Sequence, residues 1–266
     1  MLNMQNDVER VARLTATEII TISIDIGQRL LESGAEIYRV EESIARICRA
    51  YGAKDIQVYA VPTAIIASMV PAEGNPITRV TRIYHRSTNL GRLDQLNALC
   101  RSLCKEPMDY ESIQEQLHLI DQHANFRAAE LCLATGGSGL FFTLLFGGSL
   151  AEALCACCTC LVLWGLITSM NRIHVNGLFL NVAGGFWVAL SGLLCYRFGW
   201  VGQYDTMIVG SIMALVPGLP MTNAIRDLIA GDIVAGITKF TEALLVAAGI
   251  AVGAAMPLSL AGMLGG

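Results

Sequence analysis

Residues 128–266 contain five uncharged, apolar runs: 131–151 (21 residues), 153–171 (19), 175–196 (22), 206–225 (20) and 243–266 (24). Each is near the roughly 20 residues that an α-helix needs to cross a ~30 Å hydrocarbon core. In lipid, every backbone polar group must be satisfied within the segment, so such runs have to be helices. The chain as a whole is 54% hydrophobic and 15% charged, with mean hydropathy +0.53, which excludes an ordinary soluble protein. Of its 18 Lys and Arg, 14 fall in residues 1–127, as do 16 of its 22 Asp and Glu. The expected fold is therefore an α-helical membrane protein with a soluble N-terminal domain over residues 1–127 and a transmembrane domain over 128–266. Spans are expected near 131–151, 153–171, 175–196, 206–225 and 234–264, the fourth of them broken. A net charge of −4, with neither half basic, gives no footprint for nucleic acid.

Basic residues set the orientation. Arg127 precedes the first span, Arg172 and His174 lie between the second and third, and Arg226 and Lys239 lie between the fourth and fifth. The alternate loops hold only Arg197. The positive-inside rule then puts the N-terminal domain in the cytoplasm and the C-terminus outside, as five crossings also require. A multi-pass protein of a bacterial inner membrane is expected. The first nineteen residues lack an apolar core and mix charges, unlike a cleaved signal. Nine cysteines, most of them at or near predicted membrane depth, suggest a reducing compartment rather than a disulfide framework.

In the soluble half, Val11, Leu14, Ile19, Ile22, Ile26 and Leu30 recur at helical spacing over 8–32, and Ser33-Gly34 ends that helix. A second helix is predicted from about 36 to 51, closed by Gly52. The uncharged run 56–72 is rich in β-branched residues and contains Pro62. It reads as two strands, 56–61 and 63–70, followed by a third at 78–84. Amphipathic helices over 90–104 and 110–122 complete an α+β module.

The stretch 213–242 stands apart. Pro217-Gly218-Leu219-Pro220 interrupts an apolar run, and Thr222, Asn223, Arg226, Asp227 and Asp232 follow within eleven residues. A broken membrane helix is tolerated where protein or water satisfies the freed backbone groups, so it usually lines a cavity.

Two segments carry a resemblance. Leu31-Glu32-Ser33-Gly34-Ala35-Glu36-Ile37-Tyr38-Arg39-Val40-Glu41-Glu42, followed by Gly52, resembles the opening of the N-terminal domain of the threonine/serine exporter family. Leu215-Val216-Pro217-Gly218-Leu219-Pro220, then Asn223-Ala224-Ile225-Arg226-Asp227 and Gly231-Asp232, is similar to that family's membrane motif. The resemblance implies either a long fused chain or a split pair; with about five crossings this chain looks like the long subunit of a pair, whose partner is a small all-membrane subunit. One such pair is a succinate exporter, so the resemblance implies a transporter, not an enzyme, and leaves the substrate open. Glu36, Arg39, Glu41 and Glu42 look typical of the family, without an established catalytic role.

The expected substrate site is the broken fourth span. A half-helix starting near Met221-Thr222 would aim free amides at a carboxylate, and Arg226 would add a bidentate contact. Asn223 and Asp227 would take an amine, a water or a proton. The candidate set is Pro217, Gly218, Pro220, Thr222, Asn223, Arg226 and Asp227, with Asp232 and Glu242 as proton-coupling candidates. The alternative is that Arg226-Asp227 is an interfacial anchor paired locally, and that Lys239 and Glu242 form a local ion pair. Glu152 is a weaker candidate at the outer interface. Cys155, Cys157, Cys158 and Cys160 spread over several helix faces and read as packing residues rather than metal ligands; no metal or cofactor is expected. His85, His118 and His123 are scattered. The function expected is export of small carboxylates, either threonine and serine or a dicarboxylate such as succinate. Coupling to the proton gradient is expected, because no ATP-binding pattern is present. The alternatives are a membrane-anchored sensor or regulatory subunit whose soluble domain binds a ligand or partner, and a tethered hydrolase, disfavoured by the missing nucleophile–base pattern. A homo-oligomer is also open, given the Gly-rich spans.

Overall fold

The computed structural model describes residues 14–71, 74–123, 126–173 and 175–264. In chain order the elements are α1 (Ala16–Glu32), α2 (Ile37–Ala50), β1 (Lys54–Val61), β2 (Ala64–Val70), β3 (Ile77–Arg82), α3 (Leu90–Lys105), α4 (Tyr110–His123), α5 (Ala128–Leu145), α6 (Leu150–Arg172), α7 (Gly177–Arg197), α8 (Asp205–Ile212), α9 (Gly218–Ala230) and α10 (Ile233–Leu264). They form two compact units. The first joins Met1–Asn125 with Leu219–Phe240, and the second joins Phe126–Gly218 with Thr241–Gly266.

In the first unit, α1 starts where Thr15 and Glu18 cap each other. The Glu18 amide donates to Thr15 Oγ1 at 3.3 Å and the Thr15 amide to Glu18 Oε2 at 2.7 Å, which satisfies two donors that have no partner in the first turn. Ile19, Ile22, Ile26 and Leu30 make its buried stripe. At the far end Gly34 takes φ +95°, so that Ala35 N–H reaches Leu30 O at 3.0 Å and Gly34 N–H reaches Leu31 O at 3.2 Å. That left-handed turn closes the helix and is natural only to glycine. The stripe of α2, Val40, Ile44 and Ile47, packs into the same core.

The 56–72 run is the expected hairpin. Val61 pairs with Ala64 across Pro62-Thr63, and β2 pairs with β3 in turn, giving an antiparallel sheet in the order β1-β2-β3. Ile65, Ala67 and Met69 point into the core while Ile66 between them is exposed, the period-2 pattern of a half-buried strand. Asp121 on α4 holds Arg92 of α3 at 2.7 Å and Arg29 of α1 at 3.2 Å.

Among the described residues, α5, α6 and α7 of the second unit and α10, whose residues to Phe240 group with the first unit, are long and apolar enough to cross a membrane, with mean hydropathies of 1.4, 2.1, 1.8 and 2.1. Their outer faces carry large exposed apolar side chains such as Leu133, Phe141 and Phe179, a surface suited to lipid rather than water. One expectation is corrected, the position of the break. The 206–225 run, expected as a broken span, is two short helices of 8 and 13 residues, each too short to be counted with the four long apolar ones. The break lies earlier, over 213–217, because α9 starts at Gly218 and runs through Pro220. A proline in the first helical turn sacrifices no hydrogen bond, since that amide has no intrahelical acceptor anyway. Moreover, residues 219–240 group with the N-terminal unit rather than with the rest of 128–266.

Inside the second unit, α7 and α10 touch backbone to backbone. A Cβ on Gly185 would sit 2.2 Å from Ile250 O, and one on Gly253 would sit 2.0 Å from Val182 O. Small residues permit this approach. Replacing Gly253 by Val should therefore force the helices apart, costing about 1–3 kcal/mol and lowering the melting temperature of the detergent-solubilised protein by roughly 2–8 °C. An unchanged melt would remove this contact as a support of the bundle.

Candidate functional site

The polar face of α9 and the start of α10 meet the short link between α1 and α2, all within the first unit. Four consecutive link residues each receive one partner. Gly34 O accepts from Asn223 Nδ2 at 3.0 Å, and Ala35 O from Lys239 Nζ at 3.3 Å. The Glu36 carboxylate takes the Arg226 guanidinium, and Ile37 N–H donates to Asp227 Oδ1 at 3.1 Å. Lys239 also bonds Asp227 Oδ2 at 2.7 Å. The four contacts to the link join residues 189 to 204 positions apart.

Local structure explains why the link is available. The Gly34 and Ala35 carbonyls lie between two helices, beyond the end of one and before the start of the next, and so are free to accept from outside. The first residue before α2, Glu36, makes no side-chain cap to its own helix. Asp227 supplies that cap instead, placing a carboxylate against the positive end of the α2 dipole. Its side chain is fully buried and that of Lys239 is 11% exposed, so each charge depends on the other. Arg226, by contrast, is 48% exposed against a Glu36 carboxylate that is 7% exposed. Arg39 Nε approaches the second Glu36 oxygen at 3.4 Å. Burial pushes the Glu36 carboxyl up, but its own backbone amide, Arg226 and Arg39 outweigh that and hold it below the ordinary range.

Asp232 closes the turn after α9, where its amide bonds Asp227 O at 2.9 Å next to Gly231 at φ +96°. Burial and the Asp227 charge raise the Asp232 carboxyl, with Lys239 opposing. Glu41 on α2 is raised as well, by burial and by the Asp232 charge, although Ala60 N–H donates to it at 2.7 Å.

Of the residues singled out in the sequence, Asn223, Arg226 and Asp227 thus come together, with Asp232 beside them. Thr222 and Pro220 lie on exposed positions of α9. Pro217, Gly218 and Glu242 belong to the second unit. Lys239 pairs with Asp227, where a local pair with Glu242 was one expectation. On Arg226, where a substrate carboxylate was expected, sits the protein's own Glu36, and Asp227, expected to take an amine, a water or a proton, takes the Lys239 ammonium and the first amide of α2. Sequence reasoning did not foresee Glu36 and Lys239 in these roles. Glu36 and Arg226 do sit in the two segments that carry the resemblance, the one signal that could have paired them.

Elsewhere, Glu152 at the start of α6 is buried and accepts from Ser149 N–H at 2.8 Å, Gln203 N–H at 3.1 Å and Thr206 Oγ1 at 3.0 Å. The four clustered thiols meet different neighbours: Cys160 lies 3.7 Å from Ser211 O, while Cys155 and Cys195 pack on a separate apolar cluster. His123 and His174 lie outside the residues whose side chains are described.

The family model described as "Putative threonine/serine exporter" matches residues 21–261. The chain belongs to this family. Members of the family and the relatives below are named as transporters, not enzymes. The chain is 24% identical over 90% of its length to a "Probable threonine/serine exporter" of Mycobacterium tuberculosis and 25% identical over 92% to the "Threonine/serine exporter" of Corynebacterium glutamicum. It spans about half of each, 46% and 52%. It is also 24% identical over 93% of its length to the "Probable succinate transporter subunit YjjP" of Escherichia coli, of which the match covers 96%. No solved structure matches the chain.

Two outcomes follow for this exporter-family clamp. Asp227→Ala leaves Lys239 buried without its partner and α2 without its cap, so the first unit should lose about 3–5 kcal/mol, read as accelerated limited proteolysis and a lower melting temperature; a neutral result would mean that the pair is not a support. The raised carboxyls carry an opposite sign. Their ionised forms are disfavoured in the folded unit, a penalty absent below the ordinary Asp range near 4 and complete once pH exceeds the raised value. Asp232→Asn should therefore raise the melting temperature at pH 7 and leave it unchanged at about pH 3, well below the ordinary Asp range. Equal melts at both pH values would exclude repulsion between Asp232 and Asp227.

Proposed function

We propose that this chain is a subunit of a secondary transporter that exports small carboxylates from the cytoplasm, either threonine and serine or a dicarboxylate such as succinate, coupled to the proton gradient. The observation that carries the reading is the half-exposed Arg226 guanidinium bound to a carboxylate in a clamp built by both segments of family resemblance. A guanidinium that already holds one carboxylate has the fork geometry to hold another. A substrate carboxylate exchanges with Glu36 on Arg226, and Asn223 offers its amide beside it. The released Glu36 carboxylate then faces the substrate's ammonium in the case of an amino acid. Pro217, Gly218, Pro220 and Thr222 serve as the break and first turn that set the start of α9. Asp232, with its raised carboxyl, and Glu242 are the proton-coupling groups.

The N-terminal domain lies in the cytoplasm in this reading and the C-terminus outside. Three apolar helices starting from the cytoplasmic side end outside, after Arg197. Arg226 and Lys239 flank the start of the last apolar helix, and by the positive-inside rule they favour the cytoplasmic side for that start. The match over nearly the full length of a relative named as a subunit supports a small all-membrane partner for this chain.

The test is efflux of labelled threonine, serine and succinate from cells expressing the chain with and without that partner. Efflux of one cargo that requires both chains is the expected result, with Arg226→Gln abolishing it at normal insertion and Arg226→Lys retaining part. Full efflux by Arg226→Gln would overturn the site. Absence of efflux for all three substrates, with both chains inserted, would overturn the transport reading.

A further inference from the structure

Between α2 and α3, wholly within the first unit, runs a groove of about 540 Å³, within the size range of small-molecule sites. Its walls carry two facing rows of cations. Arg39 and Arg46 stand two turns apart on α2, and Arg101 and Lys105 stand one turn apart on α3. Glu42 is the single carboxylate in the lining, and Arg46 Nη2 already holds it at 2.6 Å. In a chain with net charge −4, four cations converging on one concavity are not what average composition produces. Asn97 adds an amide that can donate or accept. Thiol chemistry does not account for the groove: burial pushes the Cys100 thiol on its floor up to about 12, leaving it an inert packing group.

We propose that this groove binds a small dianion, its two carboxylate or phosphate groups shared between the α2 row and the α3 row, and that occupancy regulates the Arg226 clamp. Two separate rows favour a ligand with two anionic groups, since a single one would leave half of the cations unanswered. The link to the clamp is one residue long. Arg39 lines the groove and also approaches Glu36 Oε2 at 3.4 Å, while Arg226 binds the other Glu36 oxygen. An anion in the groove draws Arg39 away from Glu36 and leaves that carboxylate to Arg226 alone. The clamp then tightens, and a substrate competing for Arg226 meets a stronger internal rival. The regulatory half of the proposal rests on the transport reading of the clamp, whereas the binding itself does not, because the α3 residues take no part in the clamp.

The experiment is titration calorimetry on the full-length protein in nanodiscs of neutral lipid, with succinate and inorganic phosphate as separate probes. Saturable binding of at least one probe, weakened by about 0.15 M salt, is expected. Arg101 and Lys105 are exposed, so R101Q/K105Q should keep the wild-type melting temperature while weakening binding about tenfold or more, roughly 1.4 kcal/mol. R226Q should leave this binding in place. The proposal is overturned if neither probe binds saturably, or if R101Q/K105Q binds as the wild type does. Binding abolished by R226Q alone would also overturn it, by assigning the probe to the clamp. A third arm uses nanodiscs containing an anionic phospholipid: contact with its headgroup there, without binding of either free anion, identifies the groove as a lipid contact and likewise overturns the proposal.

Discussion

The buried carboxylate of Asp227 is the interaction on which the first unit's architecture rests. An ion fully removed from water is tolerated only where nearby donors replace its hydration. Two do so here, the Ile37 amide at 3.1 Å and the Lys239 ammonium at 2.7 Å. The first belongs to a helix that brings no cap of its own, and the second also holds Ala35 O. Fixing one side chain thus fixes the start of α2, the first turns of α10 and the link from 34 to 37. Asn223 and Arg226 lie on the same face of α9, so their bonds to Gly34 and Glu36 fall into register once Asp227 is placed. Gly34 sets the other half of the geometry, because its left-handed backbone ends α1 and turns the link out of the helix.

The second unit is held by different physics. Hydrophobic burial contributes little between helices whose alternative surroundings are apolar as well, so close backbone contact and buried hydrogen bonds carry more of the load. Gly185 and Gly253 supply the contact between α7 and α10. Thr159 bonds Ser191 at 3.1 Å, and its carbonyl accepts from Trp187 Nε1 at 3.1 Å, tying α6 to α7. Glu152 collects three donors from the α5–α6 turn and the segment leading into α8, which makes a carboxylate into a knot between loops.

Local signals were legible in the sequence. Gly34 and Gly52 end helices because their φ values, +95° and +84°, suit glycine, and Pro62 marks the hairpin in a run whose length alone would have suggested a membrane crossing. The break near Pro217 was visible, but its position was misjudged by taking Pro220 as a breaker too. A proline is neutral in a first helical turn, and which turn it occupies depends on where the helix starts. The partners of Arg226 and Lys239 could not be read from spacing. Helical neighbours at i+3 and i+4 are visible in sequence, whereas Glu36 and Asp227 reach their partners through the fold. Composition marks α8 and α9 as one broken span because both are apolar, and the grouping of 219–240 with the N-terminal unit comes from tertiary bonding that spacing does not show.

The clamp's two ion pairs differ in a way that bears on the proposed exchange. Asp227–Lys239 is sealed, with side-chain exposures of 0% and 11%. Opening it strands two charges in a region that water does not reach, a loss of several kcal/mol. Glu36–Arg226 is half open, since the guanidinium is 48% exposed and solvent both screens the pair and hydrates whatever leaves it. Glu36 is also never left without a counter-ion, because Arg39 stands 3.4 Å from its second oxygen. An arriving carboxylate can therefore take Arg226 while Glu36 shifts its weight to Arg39, and the Asp227 anchor holds α9 against α2 throughout. Permanence and exchange are thereby divided between adjacent residues of one helix, and an arrangement in which Arg226 were the buried member would have neither an entry for substrate nor a retreat for Glu36.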